Sequence, residues 1–317
     1  MNRPIGIFDS GLGGLTVVRA VRRRMPDESI VYFGDTARVP YGIKSGETVA
    51  RFAAEDCEFL CRYDPKFIVV ACNTASAAAL PVLREKFPQP ILGVIEPGAC
   101  VAAAAGGGRP IGIIATEATI ASGAYRREIE RHLPGARLVE KACPLLVPLV
   151  EEGRGSNDPI VRAVLAEYLA PMREAGVGTV VLGCTHYPLI KEGIAEALGP
   201  DVTLVDSAEA VAEEVAHRLS GLNLLAHWPG KEKGPGPLKS LRVLDPFLFP
   251  SDRPTIRFFV SDNPERFQAV GRRFLGADIP AAALVTPEDF FVLAAAGRSR
   301  VVLHTSRDRD DVFEPRP

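Results

Sequence analysis

Two cysteines of this chain share one context. Cys72 lies in VVACNTA (residues 69–75) and Cys184 in VVLGCTHY (180–187). Each ends a short apolar run, residues 67–71 and 179–183, and each is followed by a polar pair, Asn73-Thr74 or Thr185-His186. An apolar run without alternation reads as a parallel strand buried on both faces. Helical patterns follow at 76–87 and 188–198, so each thiol is expected where a strand ends and a helix begins. Ligands of open α/β sheets bind at that edge. A helix N-terminus also favours a thiolate, through its unpaired amides and its dipole. A lone buried cysteine is commonly plain packing. A polar pair directly behind a buried strand, present twice, argues instead for one site closed by a thiol from each side.

Two such thiols allow three chemistries. A redox disulfide is one, although the spacing is not Cys-x-x-Cys. Acyl transfer is another, with Cys184 as nucleophile and His186 as base. The third is proton transfer on opposite faces of one carbon, which needs two matched groups, one protonated and one not. A cysteine has a reference pKa of about 8.5, so modest tuning allows one thiol and one thiolate near neutrality. Ionisable neighbours stand ready on each side, Asp9 for Cys72 and His186 for Cys184.

The elements that must hold these residues repeat along the chain. Residues 4–8 form a strand that enters DSGLGG (9–14), a glycine-rich turn before a helix over 15–25. The turn has neither the dinucleotide spacing nor a Gly-Lys-Ser/Thr ending. Its glycines allow close approach of backbone to a small ligand, and Asp9 and Ser10 project from the strand end. A second strand over 30–34 leads to DTARVPYG (35–42), then a helix over 48–62. After the first cysteine unit come a strand over 91–95 and a break at Glu96-Pro97-Gly98. IGIIAT (111–116) then restarts the pattern of IGIFDS (5–10), with Thr116 and Thr119 in place of the first-half loop. Ile5 and Ile111 lie 106 positions apart, Cys72 and Cys184 lie 112 apart, and the order is kept, which is the signature of an internal repeat. The fold class is therefore α/β, two pseudo-symmetric parallel-sheet domains with the site between them. A helix over 122–133, a helix from Asn157-Asp158-Pro159 to about 173, a strand over 203–205, a helix over 208–219, a strand over 256–260 and a helix from Asn263 complete the reading. Residues 229–237 read as a flexible insertion and 305–317 as a disordered tail.

The totals bound the class. The chain has 317 residues, 47% hydrophobic and 24% charged, with a formal net charge of −2. It is long enough for two domains. No long basic cluster points to nucleic acid, no run approaches the ~20 apolar residues of a membrane span, and no signal peptide is read at MNRPIGIF. A cytoplasmic protein with mostly free thiols is expected. Cys57, Cys61, Cys100 and Cys143 read as packing residues, and no metal constellation is found.

Taken together, DSGLGG (9–14), PYG (40–42), ACNTAS (71–76), Thr116 and Thr119 ahead of SGAY (122–125), VPLVEEG (147–153) and GCTHYPL (183–189) resemble the glutamate racemases of the cofactor-independent aspartate/glutamate racemase group. The resemblance runs from residue 5 to about 220, with weaker similarity in FFVSDNPERF (258–267). It implies that Cys72 and Cys184 are the acid–base thiols, the first serving the D-enantiomer and the second the L-enantiomer. Asp9, Glu151 and His186 are implied as assisting groups, with Glu152 the alternative to Glu151. Asp9, Ser10, Pro40, Tyr41, Gly42, Asn73, Thr74, Thr116, Thr119, Thr185 and His186 are implied to bind glutamate. No cofactor, no metal, a homodimer and a supply of D-glutamate to peptidoglycan follow from the same resemblance. So does a domain pattern of 1–97 with 208–317 against 98–207. The start near the first strand leads us not to expect the nucleotide-precursor activation that some relatives tie to an N-terminal extension. Three rivals stay open: an aspartate racemase, a cysteine-dependent isomerase or amidase on the same scaffold, and a non-catalytic amino-acid-binding protein. The insertion over 228–253 and the tail past 280 exceed the usual length.

Overall fold

A computed structural model describes residues 3–227, 254–279 and 281–286. The insertion and the tail singled out above lie outside those residues, apart from 281–286. Among the described residues, ten strands form two all-parallel sheets. In chain order they are β1 (Ile5–Asp9), β2 (Ile30–Gly34), β3 (Phe67–Val70), β4 (Ile91–Gly93), β5 (Ile111–Ala115), β6 (Leu138–Ala142), β7 (Thr179–Gly183), β8 (Thr203–Asp206), β9 (Ile256–Val260) and β10 (Ala282–Leu284). The first sheet has the order β10-β9-β2-β1-β3-β4 and the second β6-β5-β7-β8.

The repeat is visible in this topology. Four strands of the first sheet, β2-β1-β3-β4, follow the same path as the whole of the second. Within each copy the cysteine strand lies beside the opening strand: Ile5 pairs with Phe67 in one and Ile111 with Thr179 in the other. Equal registers bring the ends of β1 and β3, and of β5 and β7, to one edge of each sheet. The first sheet then grows by β9 and β10, supplied by the C-terminal segment.

The central strands β1, β2, β3, β5 and β7 are buried throughout, which is what their unbroken apolar runs require. Aromatic side chains fill the space beside the added strands: Phe33 lies 4.7 Å from Phe59, and Phe59 meets Phe259 edge-on at 5.3 Å, ring centre to ring centre. Such rings interlock and add stability beyond the area they bury.

Several elements differ from the expectation. Glu96-Pro97-Gly98 is no break: β4 ends at Gly93 and the helix Ile95–Ala105 runs straight through it. A proline in the first helical turn loses no bond, because the amides there have no partner to lose. Proline does act as a breaker later, where Pro171 divides the expected helix into Pro159–Tyr168 and Ala170–Glu174. Gly123, at φ +63°, separates Glu117–Ala121 from Ala124–His132. Among the described residues no helix is long and apolar enough to cross a membrane.

Candidate active site

The strand ends converge on a cavity of about 330 Å³ between the two sheets. From the first half it is lined by Ser10, Gly11, Leu12, the loop 39–43, Cys72, Asn73 and Thr74. From the second half come Thr116, Glu117, Pro144, Val147, Pro148, Glu151, Cys184, Thr185 and His186. Both thiols therefore face one cavity, and both are about 6% exposed.

The glycine-rich turn is built for close approach. A Cβ on Gly13 would stand 2.1 Å from Thr185 Oγ1 and 2.6 Å from His186 Nδ1. One on Gly14 would stand 2.4 Å from the Asp9 Cβ. The first glycine lets the second half close down on the turn, and the second lets the turn fold over Asp9. Thr16 fastens the contact, its hydroxyl reaching the carbonyls of Gly13 at 2.9 Å and Thr185 at 3.1 Å.

The two thiols sit in different settings. Cys72 caps the helix Asn73–Lys86, and its sulfur accepts from the Ala75 amide at 3.5 Å. Its thiol donates to Ser10 Oγ at 3.6 Å. Burial and the nearby Asp9 carboxylate push Cys72 up to about 12, against the pull of the Ala75 and Ser10 bonds. Cys72 is thus a thiol at neutral pH. Cys184 has no such helix: residues Tyr187–Ile190 form a 3-10 turn around Pro188, and the α-helix starts only at Lys191. The expectation of two equivalent helix N-termini fails here, since a 3-10 turn stands between Cys184 and its α-helix.

Cys184 has His186 instead. Its sulfur is 3.8 Å from His186 Nδ1, and Nε2 of the same ring is 3.1 Å from Glu151 Oε1. Burial alone would push the imidazole down, but its bonds to Cys184 and Glu151 outweigh that and hold it up at about 10. Nε2 faces the Glu151 carboxylate and so carries hydrogen, while Nδ1 faces the Cys184 sulfur, which donates as a thiol or accepts as a thiolate. The hydrogen bond to His186 in turn holds the Glu151 carboxyl below its usual value, against the effect of burial. Of the glutamate pair, Glu151 is the one that faces the histidine. It also receives Arg273 Nη2 on its backbone carbonyl at 3.0 Å, and Phe274 meets the imidazole edge-on at 5.1 Å.

Neutral groups make up most of the remaining wall. Asn73 Oδ1 accepts from the Tyr125 hydroxyl at 2.7 Å, while its Nδ2, also buried, has no partner among the described residues. Thr74, Thr116 and Thr119 join their hydroxyls across the two halves, at 3.0, 3.2 and 2.9 Å. Among the described residues no Lys or Arg lines the cavity.

Two of the singled-out residues stand behind the wall. Asp9 is fully buried, and its Oδ2 accepts from the Gly11 amide at 2.9 Å. Burial pushes its carboxyl up, opposed by the His186 cation and by the amides of Gly14 and Gly11. Thr119 backs Thr116 and Thr74 without lining the cavity. Tyr41 does line it, but its hydroxyl turns away to Asp35 and Asp56. Sequence reasoning gave no role to Tyr125, though it closes the SGAY motif. Arg273 and Phe274 arrive from a segment with no local signal. Among the described residues no three His, Cys, Asp or Glu side chains are placed to hold a metal.

Two thiols facing one cavity across a pseudo-symmetric pair of parallel sheets define a racemase-type site, and the comparisons agree. Residues 15–215 match the Asp/Glu/hydantoin racemase model, and the chain belongs to that family. A glutamate racemase of Geobacter metallireducens is 48% identical over 277 residues, 87% of this chain and 94% of that one. The crystal structure of glutamate racemase isoform RacE1 from Bacillus anthracis covers 89% of this chain and 97% of its own, at 36% identity and a TM-score of 0.77. That of the Francisella tularensis glutamate racemase in complex with D-glutamate covers 90% and 97%, at 36% identity and a TM-score of 0.76.

Proposed function

We propose that the protein is a glutamate racemase that interconverts L- and D-glutamate by proton transfer between Cys72 and Cys184. The observation that carries this reading is the pair of thiols, one from each half, lining one cavity, with the His186 ring beside only one of them. In the L-to-D direction the Cys184 thiolate, paired with the His186 cation, takes the α-proton. The electron pair is left on the α-carbon and its carboxylate, and the Cys72 thiol returns a proton to the opposite face. The reverse direction exchanges the two roles. Each turnover leaves one thiol and one thiolate, so no outside oxidant, reductant or proton is consumed.

The difficulty is the carbanion beside a carboxylate. Neutral donors suit a substrate whose ammonium and carboxylate groups must all be held. The unpartnered Asn73 Nδ2, the hydroxyls of Ser10, Thr74, Thr116 and Thr185, and the backbone of the Pro40-Tyr41-Gly42 loop are the binding groups in this reading. Fixed dipoles in a closed cavity act more strongly than the same groups in water. Asp9 and Thr119 serve by holding the turn and the threonine cluster. In this reading residues 1–97 with the described part of 208–317 form one lobe and 98–207 the other, with the helix Ile95–Ala105 crossing between them. Supply of D-glutamate for peptidoglycan, in the cytoplasm and as a homodimer, belongs to the same reading.

The test is α-carbon deuterium exchange in D2O with no cofactor added. L- and D-glutamate are incubated separately with wild type, Cys72→Ser and Cys184→Ser. Deuterium in the product enantiomer with wild type, and racemisation lost in both variants, is the expected result. Absence of exchange from either enantiomer removes the glutamate assignment. Full activity in Cys72→Ser removes the two-thiol mechanism and leaves Cys184 as a lone nucleophile.

A further inference from the structure

Behind the Pro40-Tyr41-Gly42 wall lies a buried cluster of acids with a proton to be placed. Asp35 and Asp56 are both fully buried. The Tyr41 hydroxyl is 2.5 Å from Asp35 Oδ2 and 3.1 Å from Asp56 Oδ2. A phenol has one proton, and the shorter contact takes it. Asp35 is otherwise occupied as an acceptor, with Arg38 Nε at 2.6 Å on Oδ2 and Ser261 Oγ at 2.9 Å on Oδ1. Asp56 Oδ1 accepts Arg38 Nη2 at 2.9 Å. That leaves Asp56 Oδ2 facing the Tyr41 oxygen at hydrogen-bond distance with no proton from the tyrosine. Two buried oxygens hold such a contact only when one of them carries hydrogen.

We propose that Asp56 is a neutral acid in the working protein, donating from Oδ2 to Tyr41 Oη, and that this ordered chain from Asp56 through Tyr41 to Asp35 and Arg38 positions the wall of the substrate cavity. Asp56 is a positioning residue: it reaches the cavity only through Tyr41. The charge balance points the same way. Three carboxylates, Asp35, Glu55 and Asp56, converge on the Arg38 guanidinium. Removing one charge brings the buried cluster closer to neutrality, which burial favours. Burial and the Asp35 charge push Asp56 well above the usual carboxylate range, opposed by the Arg38 charge. The other groups around it, Glu55 and Cys57 on its own helix and the Tyr32 phenol from β2, add no cation.

The sign of the pH effect follows. An acid whose folded pKa is raised leaves stability untouched below the unfolded value, about 3.9 for aspartate. Stability then declines as pH rises from there towards the folded value, because the folded chain keeps a proton that the unfolded chain has released. Asp56→Asn should remove that decline, since its amide donates to Tyr41 and its carbonyl still accepts from Arg38. Asp56→Ala should not replace the bond.

The experiment compares wild type, Asp56→Asn and Asp56→Ala. Infrared spectra near neutral pH report a protonated carboxyl, Tm is followed from pH 5 to 9, and KM for glutamate is measured. We expect a carboxylic-acid band in wild type that Asp56→Asn lacks, and a Tm advantage of Asp56→Asn that grows with pH. Its KM should stay within about twofold of wild type while Asp56→Ala raises KM about tenfold, as loss of one hydrogen bond would. A spectrum without that band overturns the proposal. So does an Asp56→Asn chain that fails to fold or that matches Asp56→Ala in KM. The link to KM rests on the glutamate assignment. If wild type does not racemise glutamate, that assignment fails, and the infrared and thermal results still decide the proton.

Discussion

His186 stands between a carboxylate and a thiol of the same half, with Nε2 3.1 Å from Glu151 Oε1 and Nδ1 3.8 Å from Cys184 Sγ. The carboxylate fixes the ring, and the ring places a positive charge against the sulfur. Cys72 has no cation in that position; its neighbours are a hydroxyl, an amide and the Asp9 charge. The site is therefore asymmetric in charge although its scaffold is a repeat.

Removing the histidine cation should slow proton abstraction at Cys184. His186→Asn keeps a polar side chain but no positive charge, and kcat/KM should fall by about 10²–10⁴, the range of one acid–base group. Enantiomers have equal free energies in water, so kcat/KM must fall by the same factor in both directions. Glu151→Gln keeps an acceptor for Nε2 and should cost less, about tenfold. Circular dichroism assays from L- and from D-glutamate measure both. A His186→Asn enzyme within twofold of wild type would mean that the cation is not used.

The same pair predicts how stability depends on pH. His186 is raised from its ordinary value near 6.5 to about 10 in the folded protein. A raised folded value gives a contribution that is complete below the unfolded pKa and is lost as pH climbs through the folded one. The Tm difference between wild type and His186→Asn should therefore be largest near pH 6 and shrink between about 6.5 and 10. A difference that is constant over pH 6–10 contradicts the buried imidazolium.

Gly13 sets how closely the two halves meet. An alanine Cβ there would fall 2.1 Å from Thr185 Oγ1 and 2.6 Å from His186 Nδ1. Both neighbours are buried, so neither moves without disturbing the site. Gly13→Ala should lower stability by about 1–3 kcal/mol, the usual cost of overpacking. Activity should fall more than the population of folded protein does. Denaturant unfolding beside kinetics separates the two effects, and a fully active Gly13→Ala chain would show that the halves meet less closely than drawn here.

Much of this was legible in the chain because the repeat writes the same signals twice. Unbroken apolar runs located β1, β3, β5 and β7, and the polar pairs behind Cys72 and Cys184 marked the cavity. The edge strand β6 was not legible, since its LVEKA sequence is only half buried throughout and carries Glu140 and Lys141. Pro97 misled because proline ends a helix from within but opens one without cost. Tyr125 and Phe274 touch the site only through tertiary contacts, 52 residues from Asn73 in one case, and no local pattern announces such a partner. The choice of Glu151 over Glu152 likewise needed the turn of the short helix Leu146–Glu151.

Asn73 offers the sharpest test of substrate binding. Its Oδ1 is taken by the Tyr125 hydroxyl at 2.7 Å, which orients the amide and leaves Nδ2 buried without a partner. A buried donor left unmade is costly, and an anionic substrate group satisfies it. Asn73→Asp keeps the acceptor for Tyr125 but replaces the free donor with negative charge. Hydrogen bonds to charged groups contribute about 1.5–3 kcal/mol, so KM for glutamate should rise by about 10–150-fold, and more from the added repulsion. Tyr125→Phe keeps the donor but frees its orientation, and a rise of about three- to tenfold is expected. Steady-state kinetics of the two variants rank the effects. If Tyr125→Phe proved worse than Asn73→Asp, Nδ2 would not be the group that meets substrate, and the tyrosine would matter for packing instead.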